Sequence, residues 1–149
     1  CDVYTTDASG LSSTRAAAAN PDKWVVLPEI ISKEPLGPLV RHGDHQWGDV
    51  VRWSLNAMII AEELGVTSEN VDAQKSSNVP EVLRLLGVEG SYGEMLELAP
   101  DWAYQIIKQI GNYSESYEAN VGPDTPLEIA RGLNALWTQG GILYAPPFR

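Results

Sequence analysis

Two histidines and an aspartate fall within four residues at His42-Gly43-Asp44-His45. Imidazole and carboxylate are zinc ligands, but this spacing matches none of the common zinc signatures. The plainer reading is a polar turn whose Asp44 caps the next helix, so no metal is expected. Ser9-Gly10 and Ser12-Ser13 lie outside any Gly-x-Ser-x-Gly elbow, which leaves nucleophilic catalysis without support. The glycines at 87, 90 and 93 follow no strand and sit among acids, so neither a phosphate loop nor a cofactor is expected. Glu62-Glu63 reads as a solvated helix end, and Trp47, Trp53, Trp102, Trp137 and Tyr104 read as core aromatics on helix faces. Asp7 is more informative. It stands at the carboxyl end of an alternating segment and just before a helix, the place where open α/β sheets bind ligands. A carboxylate there suits an ammonium group through a charge-assisted hydrogen bond. On pattern alone, a plain helix cap or turn is the more frequent use of such an aspartate.

The elements that must hold these groups divide near two prolines and two glycines between residues 34 and 43. Before that joint the pattern is β-α-β: a strand over 2–6, a helix over about 11–19 ended by Asn20-Pro21, and a strand over 24–27. A further strand over 36–41 is demoted to an edge by Pro35 and Pro38. Such a pattern favours a parallel sheet. After the joint the chain is helical. Asp44 caps a helix that Gly65 stops, a second begins near Thr67 or Ser68, a third runs over about 80–86, and another over 101–110 with Gly111-Asn112 as its stop. Thr125-Pro126-Leu127-Glu128 has the order of cap, N1 proline and capping-box glutamate, which predicts a helix to about Gln139. Pro146-Pro147 keeps the tail from ending in a helix.

Charge and length narrow the function classes. The chain has 149 residues and a formal charge of −10; residues 1–45 carry six acids and four bases, the remainder fourteen and six. With no basic run, nucleic acid is excluded as a partner, and so is an anionic membrane surface. A hydrophobic content of 44% with 20% charged residues is that of a folded chain. The longest apolar stretch, near residues 57–61, is too short to span a bilayer. Opening directly on a strand-like segment, the chain reads as part of a longer protein.

Several blocks are recognisable as they stand. Cys1-Asp-Val-Tyr-Thr-Thr-Asp-Ala-Ser-Gly-Leu and Leu27-Pro-Glu-Ile-Ile-Ser-Lys-Glu-Pro-Leu-Gly-Pro resemble the periplasmic general L-amino-acid-binding proteins of ABC importers. So do Asp101-Trp-Ala-Tyr-Gln-Ile-Ile-Lys, Gly111-Asn-Tyr, Ala130-Arg-Gly-Leu-Asn-Ala-Leu-Trp-Thr-Gln-Gly-Gly and Tyr144-Ala-Pro-Pro. The resemblance covers nearly the whole chain and is weakest over 72–98. It implies an α/β fold, the carboxy-terminal portion of a type II periplasmic-binding-protein fold, with a short parallel-sheet remnant followed by a helix-rich carboxy-terminal region. Residues 1–34 would be the remnant of the second, ligand-binding lobe, 35–43 a hinge crossing, and 44–149 the carboxy-terminal part of the first lobe with a helical extension.

In that family the strand-then-aspartate motif holds the ligand's α-ammonium, so the resemblance gives Asp7 that role and places Thr6 in the pocket lining. The α-carboxylate is held in the family by an arginine and other donors from the first half of the protein, which this chain does not contain. Cys1 stands where the family usually pairs with an upstream cysteine, so it would be free or bridged between chains. The expected function is a non-catalytic, periplasmic solute-binding component that delivers L-amino acids to a membrane permease. An apolar surface left by a missing half would favour a homodimer or strand exchange. Two other classes compete: a dehydratase-like enzyme on the same scaffold, using Glu34 or the His42–His45 turn as acid or base, and a stand-alone module whose sheet edge pairs with a partner strand.

Overall fold

The computed structural model describes residues 2–148, and expectations about Cys1 lie outside them. The described chain divides into two compact units. One comprises Cys1–Gly37 and Tyr117–Arg131, the other Pro38–Ser116 and Gly132–Arg149.

The second unit is built around α2 (His45–Glu63). Asp44 caps it as expected, Oδ1 accepting from the Trp47 amide at 3.1 Å. At its other end Gly65 takes φ +67. The Val66 amide reaches the Ala61 carbonyl at 2.8 Å and the Gly65 amide reaches that of Glu62 at 3.1 Å. Those two bonds are the Schellman pattern, which satisfies carbonyls a helix end leaves orphaned and turns Val66 inward. α3 (Val71–Gln74), α4 (Pro80–Leu85), α5 (Tyr92–Met95) and α6 (Trp102–Ile110) complete the layer, with α2 packing on α4 and α6, and α3 on α6. The core holds Ala57, Ile60, Ala61, Val66, Val71, Leu85, Leu86 and Ile107. Phe148 closes it, stacked on Trp53 at 5.2 Å and edge-on to Trp102 at 6.2 Å. α7 (Tyr113–Asn120) was not expected, because its sequence has no apolar stripe. Its start is a capping box: Asn112 Oδ1 accepts from the Glu115 amide at 3.0 Å, and Glu115 Oε2 accepts from the Asn112 amide at 2.8 Å. Glu115 also takes the Ser68 hydroxyl at 2.6 Å, and buried Asn112 donates to the Val66 carbonyl at 2.9 Å.

The first unit is different in kind. Its helix, α1, runs Ala8–Ala16 rather than over 11–19. Among the described residues none of the expected strands over 2–6, 24–27 and 36–41 forms, so no parallel-sheet remnant is present. The physical reason is that a strand's hydrogen bonds are made to a neighbour, and here no segment runs alongside to accept them. The segments have no regular structure and stay exposed, Val25 at 79% and, just inside the second unit, Leu39 at 98%.

The helix expected from Thr125 to Gln139 is also absent. Thr125 Oγ1 donates to the Gly122 carbonyl and accepts from the Leu127 amide, closing a turn instead. Glu128 then adopts φ +53, which ends any helix, and pairs with Arg15. Among the described residues downstream, the regular structure consists of short 3-10 turns at Gly132–Asn134 and Trp137–Gln139 and a parallel bridge between Leu136 and Leu143. As expected, residues 143–148 are not helical.

Candidate functional site

Asp7 is the N-cap of α1. Its Oδ1 accepts from the Ser9 hydroxyl at 2.5 Å and from the Gly10 amide at 2.8 Å. Its Oδ2 accepts from Thr6 Oγ1 at 3.3 Å, a long bond on the other side of the carboxylate. The Asp7 backbone carbonyl takes the Leu11 amide at 2.9 Å, so the residue fixes the first turn with main chain and side chain together. The Ser9 hydroxyl and then the Gly10 amide hold the Asp7 carboxyl below its ordinary value of 3.8. The positive end of α1 acts in the same sense. Asp7 is thus ionised at neutral pH, half-buried, and next to exposed Thr6.

The cap and a ligand role are compatible in coordination terms. An ionised carboxylate offers about four lone-pair sites. Ser9 and Gly10 occupy Oδ1, whereas Oδ2 carries one weak bond among the described residues. Ser9 and Gly10 are the residues that pattern reading passed over. Their signal was available in Asp7-Ala-Ser-Gly10, where the donors stand at the spacing of an Asx-type cap. Gly10 has a second property. A Cβ there would stand 2.8 Å from Thr6 Cγ2 and 2.9 Å from Asp7 Oδ2, inside contact distance of both.

The alternative chemistry is not assembled. His42 and His45 are exposed in the second unit, Asp44 is engaged as a cap, and among the described residues no cluster suited to a metal ion exists. Glu34 is exposed in the first unit. A cavity of about 410 Å³ in the first unit is lined by Arg15, Pro21, Asp22, Trp24 and Glu128 and does not include Asp7 or Thr6. Arg15 and Glu128 pair with one another across it. No helix among the described residues is long and apolar enough to cross a membrane.

No family model matches the chain. Individual proteins do, over its full length. The glutamate/glutamine/aspartate/asparagine-binding protein BztA of Rhodobacter capsulatus is 57% identical over 150 residues, all of this chain and 44% of BztA. The general L-amino acid-binding periplasmic protein AapJ of Rhizobium johnstonii is 58% identical over 151 residues, again 44% of its length. Over its whole length the chain is homologous to part of the periplasmic amino-acid-binding proteins. A putative amino-acid ABC transporter-binding protein of Escherichia coli K12, YhdW, agrees at 56%. The chain thus spans less than half the length of these amino-acid-binding proteins, and it matches their carboxy-terminal portion. Among solved structures, an ABC transporter periplasmic binding protein from Brucella ovis with glutathione bound superposes with a TM-score of 0.93 and 54% identity. That match covers 98% of this chain and 46% of the Brucella protein. The type II periplasmic-binding fold therefore fits the chain, and these relatives are transport proteins rather than enzymes.

Proposed function

We propose that this chain is the carboxy-terminal portion of the substrate-binding component of an amino-acid ABC importer. In that role it captures L-amino acids in the periplasm between two lobes and delivers them to the membrane permease, without catalysis. The observation that carries the reading is identity of 56–58% along the entire chain to amino-acid-binding proteins. Asp7 receives the ligand's α-ammonium on Oδ2, and Thr6 lines the pocket beside it. The ionised carboxylate, the single weak bond that Oδ2 carries among the described residues and its place ahead of α1 support that role.

Segments 2–6, 24–27 and 36–41 become strands of a parallel sheet when neighbouring strands are supplied; the exposure of their apolar side chains supports this reading. Alternatively a second copy covers them, by dimerisation or strand exchange. Residues 1–34 are assigned to the second lobe, 35–43 to the hinge crossing and 44–149 to the first lobe. The boundary after Gly37 supports a crossing there, while Tyr117–Arg131 groups with the amino-terminal unit.

The glutathione in the Brucella structure favours a related ligand class. Glutathione ends in a γ-linked glutamate whose α-ammonium is free, so one seat for that ammonium serves a free amino acid and a γ-glutamyl peptide alike. Calorimetry on the gene product that carries this chain tests the proposal. Several L-amino acids bind without turnover, and Asp7→Asn weakens binding about thirtyfold or more. Unchanged affinity in that variant removes Asp7 from the site, and product formation from a bound amino acid removes the non-catalytic reading.

A further inference from the structure

We infer that Gly10 is a positioning residue for amino-acid binding, because its missing side chain is what lets Thr6 and Asp7 present their oxygens together. The inference rests on the reading of Asp7 and Thr6 as the ammonium seat. Gly10 lies in the first turn of α1, and no left-handed backbone angle requires a glycine there. What requires it is space on one side. The contacts a Cβ would make are Thr6 Cγ2 at 2.8 Å, Asp7 Oδ2 at 2.9 Å and Thr6 Oγ1 at 3.4 Å. Real Cβ atoms are not found at the two shorter distances, so one or both side chains must rotate.

Those three atoms are side-chain ends, with no backbone among them. The cost of an added methyl therefore falls on the rotamers of Thr6 and Asp7 and not on the path of the chain. Helix propensity acts the other way, since alanine is the better helix former at such a position. A glycine that serves the fold would lose stability on replacement, whereas one that serves the site would keep or gain stability and lose binding.

Gly10 also contributes a donor. Its amide holds Asp7 Oδ1 at 2.8 Å, which turns Oδ2 toward Thr6. Hydrogen bonds to one oxygen and clearance at the other thus set the direction in which the carboxylate accepts a fourth donor, from the ligand. Binding geometry of this kind is lost when supporting residues shift a first contact by a fraction of an ångström.

The test is Gly10→Ala in the gene product that carries this chain, beside Asp7→Asn and the double variant Thr6→Ser/Gly10→Ala. Each is titrated by calorimetry with L-glutamate and with glutarate, which keeps both carboxylates and lacks the ammonium. Gly10→Ala is expected to weaken L-glutamate binding about tenfold or more, to change glutarate binding little, and to leave the ligand-free melting temperature equal or higher. Thr6→Ser removes the nearer methyl and is expected to restore part of the loss. Unchanged glutamate binding in Gly10→Ala, with Asp7→Asn weakened, overturns the role of Gly10 and leaves the seat standing. If neither variant weakens binding, the seat itself is misplaced. A Gly10→Ala protein that fails to fold, or that loses glutamate and glutarate equally with a lower melting temperature, shows a glycine serving the fold and overturns the inference.

Discussion

Leu85, Leu86 and Ile107 in the second unit are shielded from water almost completely, whereas Val25, Ile30 and Ile31 in the first, equally apolar, face solvent. The described core lies wholly in the second unit. The difference follows from where each element finds its hydrogen bonds. A helix satisfies its backbone internally and brings an apolar face ready to pack, so α2, α4 and α6 bury one another with short connections. An extended segment must borrow its partners from another strand before its side chains have anything to cover them. Burial in the first unit is therefore conditional, and in the second it is already achieved.

The sharpest way to break this contrast is a matched pair of truncations. Ile107→Ala should cost about 2–5 kcal/mol in chemical denaturation, through lost transfer energy and a residual cavity. Val25→Ala should change stability by less than about 0.5 kcal/mol. Equal effects would mean that the exposed segments are packed in solution. Next in size is Glu115→Ala, which orphans the Asn112 amide and the Ser68 hydroxyl together. It should cost about 1–3 kcal/mol, and hydrogen exchange should rise at Ser68 and Asn112.

Acid titration probes both units at once. Asp7 in the first is held below 3.8 by Ser9 and Gly10, and Asp72 in the second by Lys108 and Tyr104. A depressed carboxyl binds fewer protons in the folded state, so its contribution is present above 3.8 and is lost as pH falls through the lower, folded value. Melting temperature should drop on acidification below about pH 4. In NMR titrations Ser9→Ala should move Asp7 upward and leave Asp72 in place. The smallest effect expected is from Arg52→Ala. Its i,i+3 pair with Asp49 at 3.4 Å is solvent-exposed, and a change above about 1 kcal/mol would contradict its reading as a surface pair.

How far the sequence discloses this structure depends on whether a signal is local. Asp44 and Gly65 bracket α2 because a cap and a left-handed stop act within a few residues. Thr125-Pro126-Leu127-Glu128 has equally local signals and still forms a turn, since Glu128 is used by Arg15, more than a hundred residues away. α7 lacks periodicity, and its one legible mark, Asn112-Tyr-Ser-Glu115, was hidden behind the stop signal of Gly111. At the candidate site Asp7 stands out from its order along the chain, whereas its ammonium role and the inclusion of Thr6 come from the family resemblance. Gly10 does not stand out, because clearance for a Cβ is a property of three dimensions.

The seat of Phe148 has a spectroscopic consequence. Its ring lies against the indoles of Trp53 and Trp102 and 5.2 Å from the ring of Tyr92. Trp24 and Trp137, by contrast, are more than half exposed. Tryptophan emission from this chain therefore mixes a blue, sheltered population in the second unit with a red, wet one. Only the sheltered part should shift when Phe148 is replaced by alanine, so the closing of the tail can be followed by fluorescence without any added label.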